Sequence, residues 1–185
     1  MAEGFFELAP TSEPWRSASE FYLRDPGDEA MAYSFDSTVG NKDEAQATIA
    51  MSDGELRFAP TDHNPEYDSL ASGCERRCDG MLYSQSRKTI VFVELKDRKD
   101  SSKNRKKWRD DAIEQLRATV KLFKKIEMAI DALVGGRHLA VAANKRSRYA
   151  VEYARASRVQ RFLLDEETSG FRLSICNKVV LGTVA

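Results

Sequence analysis

At 185 residues, with 42% hydrophobic and 31% charged side chains, the chain can bury a core of its own and reads as one globular domain over 1–185. No stretch approaches the ~20 apolar residues of a membrane helix, and the opening MAEGFFELAPTSEP has no basic run followed by an apolar one, so a cytoplasmic protein away from membranes is expected. The formal net charge of zero hides a division: residues 1–75 carry 16 acidic and 4 basic side chains, whereas residues 87–125 carry 14 basic and 6 acidic, so a polyanion would be met by the middle of the chain.

Ser12-Glu13-Pro14 has the form of a helix start, with a capping serine and a proline in the first turn, and predicts a short helix to about Arg24 that stops at Asp25-Pro26-Gly27. Residues 30–36 predict a strand. Residues 46–51 and 55–59 flank Ser52-Asp53-Gly54 and predict a hairpin. The polar stretch 60–72 is a loop. Residues 79–84 predict a short strand, followed by the polar turn Gln85-Ser86-Arg87-Lys88. Thr89–Lys96 is the strongest strand in the chain, β-branched and aromatic and apolar on both faces, as a central strand should be.

A long helix is predicted from Ser102 or Asn104 to Leu133, with Ile113, Leu116, Val120, Phe123, Ile126 and Ile130 at helical spacing and Gly135-Gly136 as its stop. Residues 138–143 (HLAVAA) predict another buried strand. Residues 148–164 predict a helix, and 171–175 with 178–181 a final hairpin around Cys176-Asn177. The central order is β-β-α-β, which places the chain in the mixed α/β class.

Three cysteines, Cys74, Cys78 and Cys176, do not make a disulfide framework in a chain of this kind. The C-x3-C spacing of Cys74 and Cys78, with only His63 and His138 elsewhere, is a poor match to zinc-site spacing, so free thiols are expected.

The chemistry lies at the end of the central strand. Side chains alternate along it, so Ile90, Phe92, Glu94 and Lys96 share a face that is apolar twice and then charged twice. One reading is a solvated ion pair where the strand reaches the surface. The other brings in Asp79. If the two strands form an antiparallel hairpin, Ser84 faces Thr89 and Asp79 faces Glu94. Two carboxylates and a lysine then meet at one sheet end. Carboxylates so placed repel each other and relax by binding a hard cation such as magnesium. A lysine beside them can orient or deprotonate water, or offset phosphate charge.

An acid on one strand of a hairpin and Glu-Leu-Lys on the next resembles the PD-(D/E)XK nuclease superfamily. The resemblance covers about 74–143. It implies a restriction-endonuclease-like αβββαβ core with flanking helices, hydrolysing phosphodiesters of nucleic acid, DNA rather than RNA. It further implies that Asp79, Glu94 and the Leu95 carbonyl hold Mg2+ or Mn2+, with Lys96 by the water. Gln115 is the candidate for the polar residue such proteins often carry on the following helix. Cys78 stands where a proline often precedes the acid. The acid of the first helix has no clear counterpart. Glu20 is the first choice, then Glu44 and Asp68.

On this reading Arg98, Lys99, Lys103, Arg105, Lys106, Lys107 and Arg109, opposed only by Asp100, follow the site and would contact phosphates without reading sequence. Trp108 would stack a base or pack in the core. A homodimer or larger nuclease complex is compatible with the sequence, as is an inactive nuclease-like fold that serves as a nucleic-acid- or protein-binding module.

Overall fold

The run Thr89–Lys96 forms a strand over its whole length and is apolar on both faces because both faces are covered. The computed structural model describes residues 16–17, 19–27, 30–36, 38–51, 54–65, 76–84, 89–98, 102–126, 138–146, 162, 168 and 170–181. Among these the elements run β1 (Glu20–Arg24), β2 (Tyr33–Phe35), a 3-10 turn (Lys42–Glu44), β3 (Ala47–Met51), β4 (Arg57–Pro60) and β5 (Gly80–Ser84). There follow β6 (Thr89–Lys96), α1 (Ser102–Ile126), β7 (His138–Asn144), β8 (Arg172–Ile175) and β9 (Lys178–Leu181).

One sheet has the order β4-β5-β6-β7-β8. Its β4/β5 and β5/β6 pairs are antiparallel, and its β6/β7 and β7/β8 pairs are parallel. The parallel β6–β7 pair requires a crossover, and α1 lies in it. The second sheet has the order β2-β1-β3-β9, antiparallel except for β3/β9.

The five-stranded sheet is the middle layer. Ile90 and Phe92 of β6 point to the helix side, where Trp108, Ala112, Leu116, Val120 and Phe123 form the buried stripe of α1. Phe92 meets Phe123 edge-on at 5.2 Å between ring centroids. Val91, Val93 and Leu95 point the other way, into a core shared with Phe21, Leu23, Ile49 and Val179 of the second sheet. The molecule is therefore of the mixed α/β class expected, and no helix among the described residues is long and apolar enough to cross a membrane.

Three expectations are corrected. The predicted helix to Arg24 is strand β1 over Glu20–Arg24. Its side chains obey a period of two: Phe21 and Leu23 enter the inter-sheet core, while Tyr22 turns to Phe35 at 5.5 Å. Residues 46–59 do not form a hairpin. The strands on either side of the turn belong to different sheets, because Ile49 and Met51 on one and Leu56 and Phe58 on the other bury into the same inter-sheet core. The chain folds one sheet over the other there.

Nor do the last two strands pair with each other. β8 joins β7 and β9 joins β3, both parallel. The switch takes two residues, since the Cys176 N–H bonds Ala142 C=O at 3.1 Å and the Asn177 C=O accepts from Thr48 N–H at 2.8 Å. The 148–164 helix, the extension of α1 to Leu133 and Gly135-Gly136 lie outside the described residues, Phe162 excepted.

Candidate active site

The hairpin register is the one read from sequence: Ser84 pairs with Thr89 and Gly80 with Val93. One step further, Asp79 stands at the level of Glu94. Met81 and Tyr83 face the helix side of the sheet, and so by alternation does Asp79, together with Glu94. A backbone contact locks the arrangement, since the Leu95 N–H donates to Asp79 Oδ2. The Lys96 ammonium meets Glu94 Oε1.

These are not surface groups. Glu94 is 0% exposed and Asp79 7%, and the Lys96 side chain retains 17% of its exposure. The solvated ion-pair reading is thereby overturned. Glu94 Oε2 has no hydrogen-bond donor among the described residues, an unusual state for a buried carboxylate oxygen.

Burial raises the Asp79 carboxyl to about 7, against the lowering effect of Lys96 and of the Leu95 N–H. Glu94 is raised well above the usual carboxylate range, by burial first and by the charge of Asp79 second. Burial works against the Lys96 charge, but Glu94 and Asp79 outweigh it, so Lys96 is held as an ammonium. One cation is too little to keep two carboxyls ionised in so dry a place, and further positive charge would favour their ionised forms.

The backbone adds a further donor. The Lys96 C=O accepts from Lys145 N–H at 2.9 Å, on the β7 side. Carbonyls alternate along a strand, so the Leu95 C=O points to the opposite side, toward Asp79, as its N–H does. Asp79, Glu94 and this carbonyl make an all-oxygen donor set, the kind that suits a hard divalent cation. Among the described residues no group of three or more His, Cys, Asp or Glu side chains is gathered to hold a metal. An ion here would thus complete its shell with backbone oxygen and water, as magnesium commonly does. No family model, curated protein or solved structure matches the chain.

α1 holds the approach to Asp79 in place. Gln115 does not touch the carboxylates; its Nε2 donates to Arg77 C=O at 3.3 Å. One turn on, Thr119 Oγ1 accepts from Cys78 N–H at 2.8 Å and donates to Gln115 C=O at 3.0 Å. Thr119 was missed by sequence reasoning, although a hydroxyl inside an apolar helical stripe was its signal. Cys78 and Cys176 are free buried thiols, as expected, and burial pushes Cys78 up to about 12. Cys74 lies outside the described residues.

Asp62 was also missed. It follows β4, where Thr61 N–H bonds Asp79 C=O at 3.1 Å, and its charge acts on both Asp79 and Glu94. Arg77 Nε lies 3.9 Å from it. Its only sequence signal was an acid in a polar loop. Glu20, the first choice for an extra acid, sits instead in the second sheet, accepting from Tyr22 at 2.6 Å and Lys178 at 3.3 Å. Glu44 pairs with Arg24, and Asp68 lies outside the described residues.

The basic block divides. Arg98, Lys106 and Lys107 are exposed, and Arg109 is half-buried with its guanidinium 5.4 Å from the Trp108 ring centre. Lys99 and the side chains of Lys103 and Arg105 lie outside the described residues. Trp108 is 1% exposed and part of the core, so it stacks no base.

Proposed function

We propose that the protein is a divalent-metal-dependent nuclease of the PD-(D/E)XK kind, with Asp79, Glu94 and the Leu95 carbonyl as metal ligands and Lys96 at the reacting phosphate. The observation that carries this reading is Glu94: fully buried, beside a second buried carboxylate, with one oxygen lacking any donor among the described residues. Such a group costs stability unless a ligand completes it. The order β4-β5-β6-α1-β7 supports the reading, being the βββαβ part of such a core. The segment before β4 departs from it, forming strands where that core has a helix. This leaves one metal ion as the reading the residues support.

When bound, the ion supplies Lewis-acid stabilisation of charge developing at phosphorus. The protein's own groups do the rest. Lys96, kept protonated by its two carboxylate neighbours, donates hydrogen bonds to the attacking water or to a non-bridging phosphate oxygen. Leu95 N–H fixes the Asp79 carboxylate, so its geometry is set before substrate arrives. The apolar walls from β6 and α1 keep water off Glu94 and so strengthen every charge interaction at the site.

The test is incubation of the protein with DNA, and with RNA as the second arm, with and without Mg2+ or Mn2+, next to Lys96→Ala. Metal-dependent cleavage that disappears in Lys96→Ala is expected. A wild type that neither cleaves nucleic acid nor binds Mn2+ by calorimetry overturns the reading.

A further inference from the structure

We infer that Arg98, Lys145 and Arg146 form the patch that takes the backbone phosphates of the substrate, and that Asn144 is the residue that positions it. This rests on the nuclease reading and adds to it where the nucleic acid lies.

Asn144 ends β7 and pairs in parallel register with Lys96. It is 1% exposed, and it spends its amide on two loops at once. Its Oδ1 accepts from Arg98 N–H at 3.1 Å and from Arg146 N–H at 3.2 Å, while its Nδ2 donates to Arg98 C=O at 3.0 Å. The Lys145 N–H bonded to Lys96 C=O carries the sheet ladder one residue further. Only a side chain with donor and acceptor in one plane can do this, and Asn is the shortest. A core position at a strand end would accept an apolar residue. The asparagine is explained by the two loops it fastens.

The backbone that carries three cations is thereby fixed beside Lys96. The Arg98 side chain is exposed and has no partner among the described residues, and its charge is felt by Lys96. The Lys145 side chain likewise has no partner among them. Arg146, half-exposed, uses Nε on Asp97, and among the described residues its two terminal nitrogens are left for a further acceptor. An arginine held as Arg146 is presents a planar fork that matches phosphate oxygens. The exposed lysines of α1, Lys106 and Lys107, lie eight or more residues past Arg98 along the chain, and Arg109 is turned onto Trp108.

The test uses the full chain and a DNA duplex in EDTA, with affinity measured at several salt concentrations, and Mn2+ titrated separately. Arg98→Gln with Arg146→Gln should weaken binding about 10-fold or more and reduce the salt slope by roughly 0.9 for each phosphate that is no longer neutralised. Mn2+ affinity should stay at the wild-type value. Asn144→Ala should reproduce the weakening and raise KM more than it lowers kcat, and Asn144→Asp, which keeps the acceptor but loses the donor, should fall between. If Asn144→Ala does not fold, the arginine pair carries the test of the patch and Asn144→Asp that of the positioning role. An unchanged slope in the arginine variant overturns the patch. A weakened arginine variant beside wild-type affinity in the Asn144 variants overturns the positioning role. A wild type that binds neither Mn2+ nor DNA sinks the nuclease reading itself, and this inference with it.

Discussion

Glu94 and Asp79 show how a site is set against the stability of its fold. Both carboxyls are raised by burial, so the folded protein holds these protons where the unfolded chain has released them. For Asp79 the window runs from its ordinary 3.8 to about 7. Through it the folded state binds more protons than the unfolded, and stability falls as pH rises. Asp79→Asn keeps an acceptor for Leu95 N–H but carries no charge. Without metal its Tm should match the wild type below about pH 3.8, exceed it increasingly up to about pH 7 and hold that gap above it, while Mn2+ binding is abolished. Thermal melts across pH in EDTA check the first part and calorimetry the second; a Tm gap constant across the whole pH range would refute the argument from burial. Lys96 is separable from its neighbours. Lys96→Ala should retain Mn2+ binding and lose ~10²–10⁴-fold in activity. Lys96→Arg should not restore it, because a bulkier fork must fit where the lysine is already mostly buried. The pairing of these groups was legible in the sequence because a two-residue period and a short turn leave little freedom over five residues. Asp62 was not, because nothing local marks which loop acid folds back over a sheet edge.

At the scale of elements, the β5–β6 hairpin places the candidate site and its neighbours hold it at close tolerance. Gly80, next to Asp79, has no side chain for a reason: a Cβ there would come within 2.3 Å of the Phe58 ring. That ring is 0% exposed and cannot give way freely. Gly80→Ala should therefore cost about 1–3 kcal/mol by overpacking and disturb Asp79 through the shared backbone. Chemical denaturation measures the first and Mn2+ affinity the second. Equal stability to wild type would mean that the ring moves aside. β6 and the described part of α1 followed from periodicity alone, since a sustained run of one pattern outweighs local noise. β1 did not. Its segment carries helix-start residues upstream, and only the aromatic partner on β2 and the core beneath Phe21 and Leu23 select the extended form.

Across the whole molecule, the five-stranded sheet is shared by two cores, one under α1 and one under the second sheet. Neither partner layer can leave without exposing a face of β6. Phe92→Ala on the helix side and Ile49→Ala in the second sheet should each lower stability, by about 3–5 and 2–5 kcal/mol. Both should shift one common unfolding transition, seen alike by near- and far-ultraviolet circular dichroism. Two transitions, each moved by only one variant, would show that the layers melt separately.

The sequence by itself determined the class of fold, the central strand and helix, and the alignment of Asp79 with Glu94, because each rests on a repeating local pattern or on one short turn. It also marked Lys96 as a partner to them by simple alternation. Tertiary structure decided what lies far apart in sequence. β3 and β4, and again β8 and β9, separate into different sheets because burying two apolar faces against each other outweighs a local turn. The same folding made Glu94 wholly buried, so that what alternation alone reads equally as a surface pair is a buried cluster of ionisable groups. Only the packed layers could settle this, since burial belongs to no residue alone.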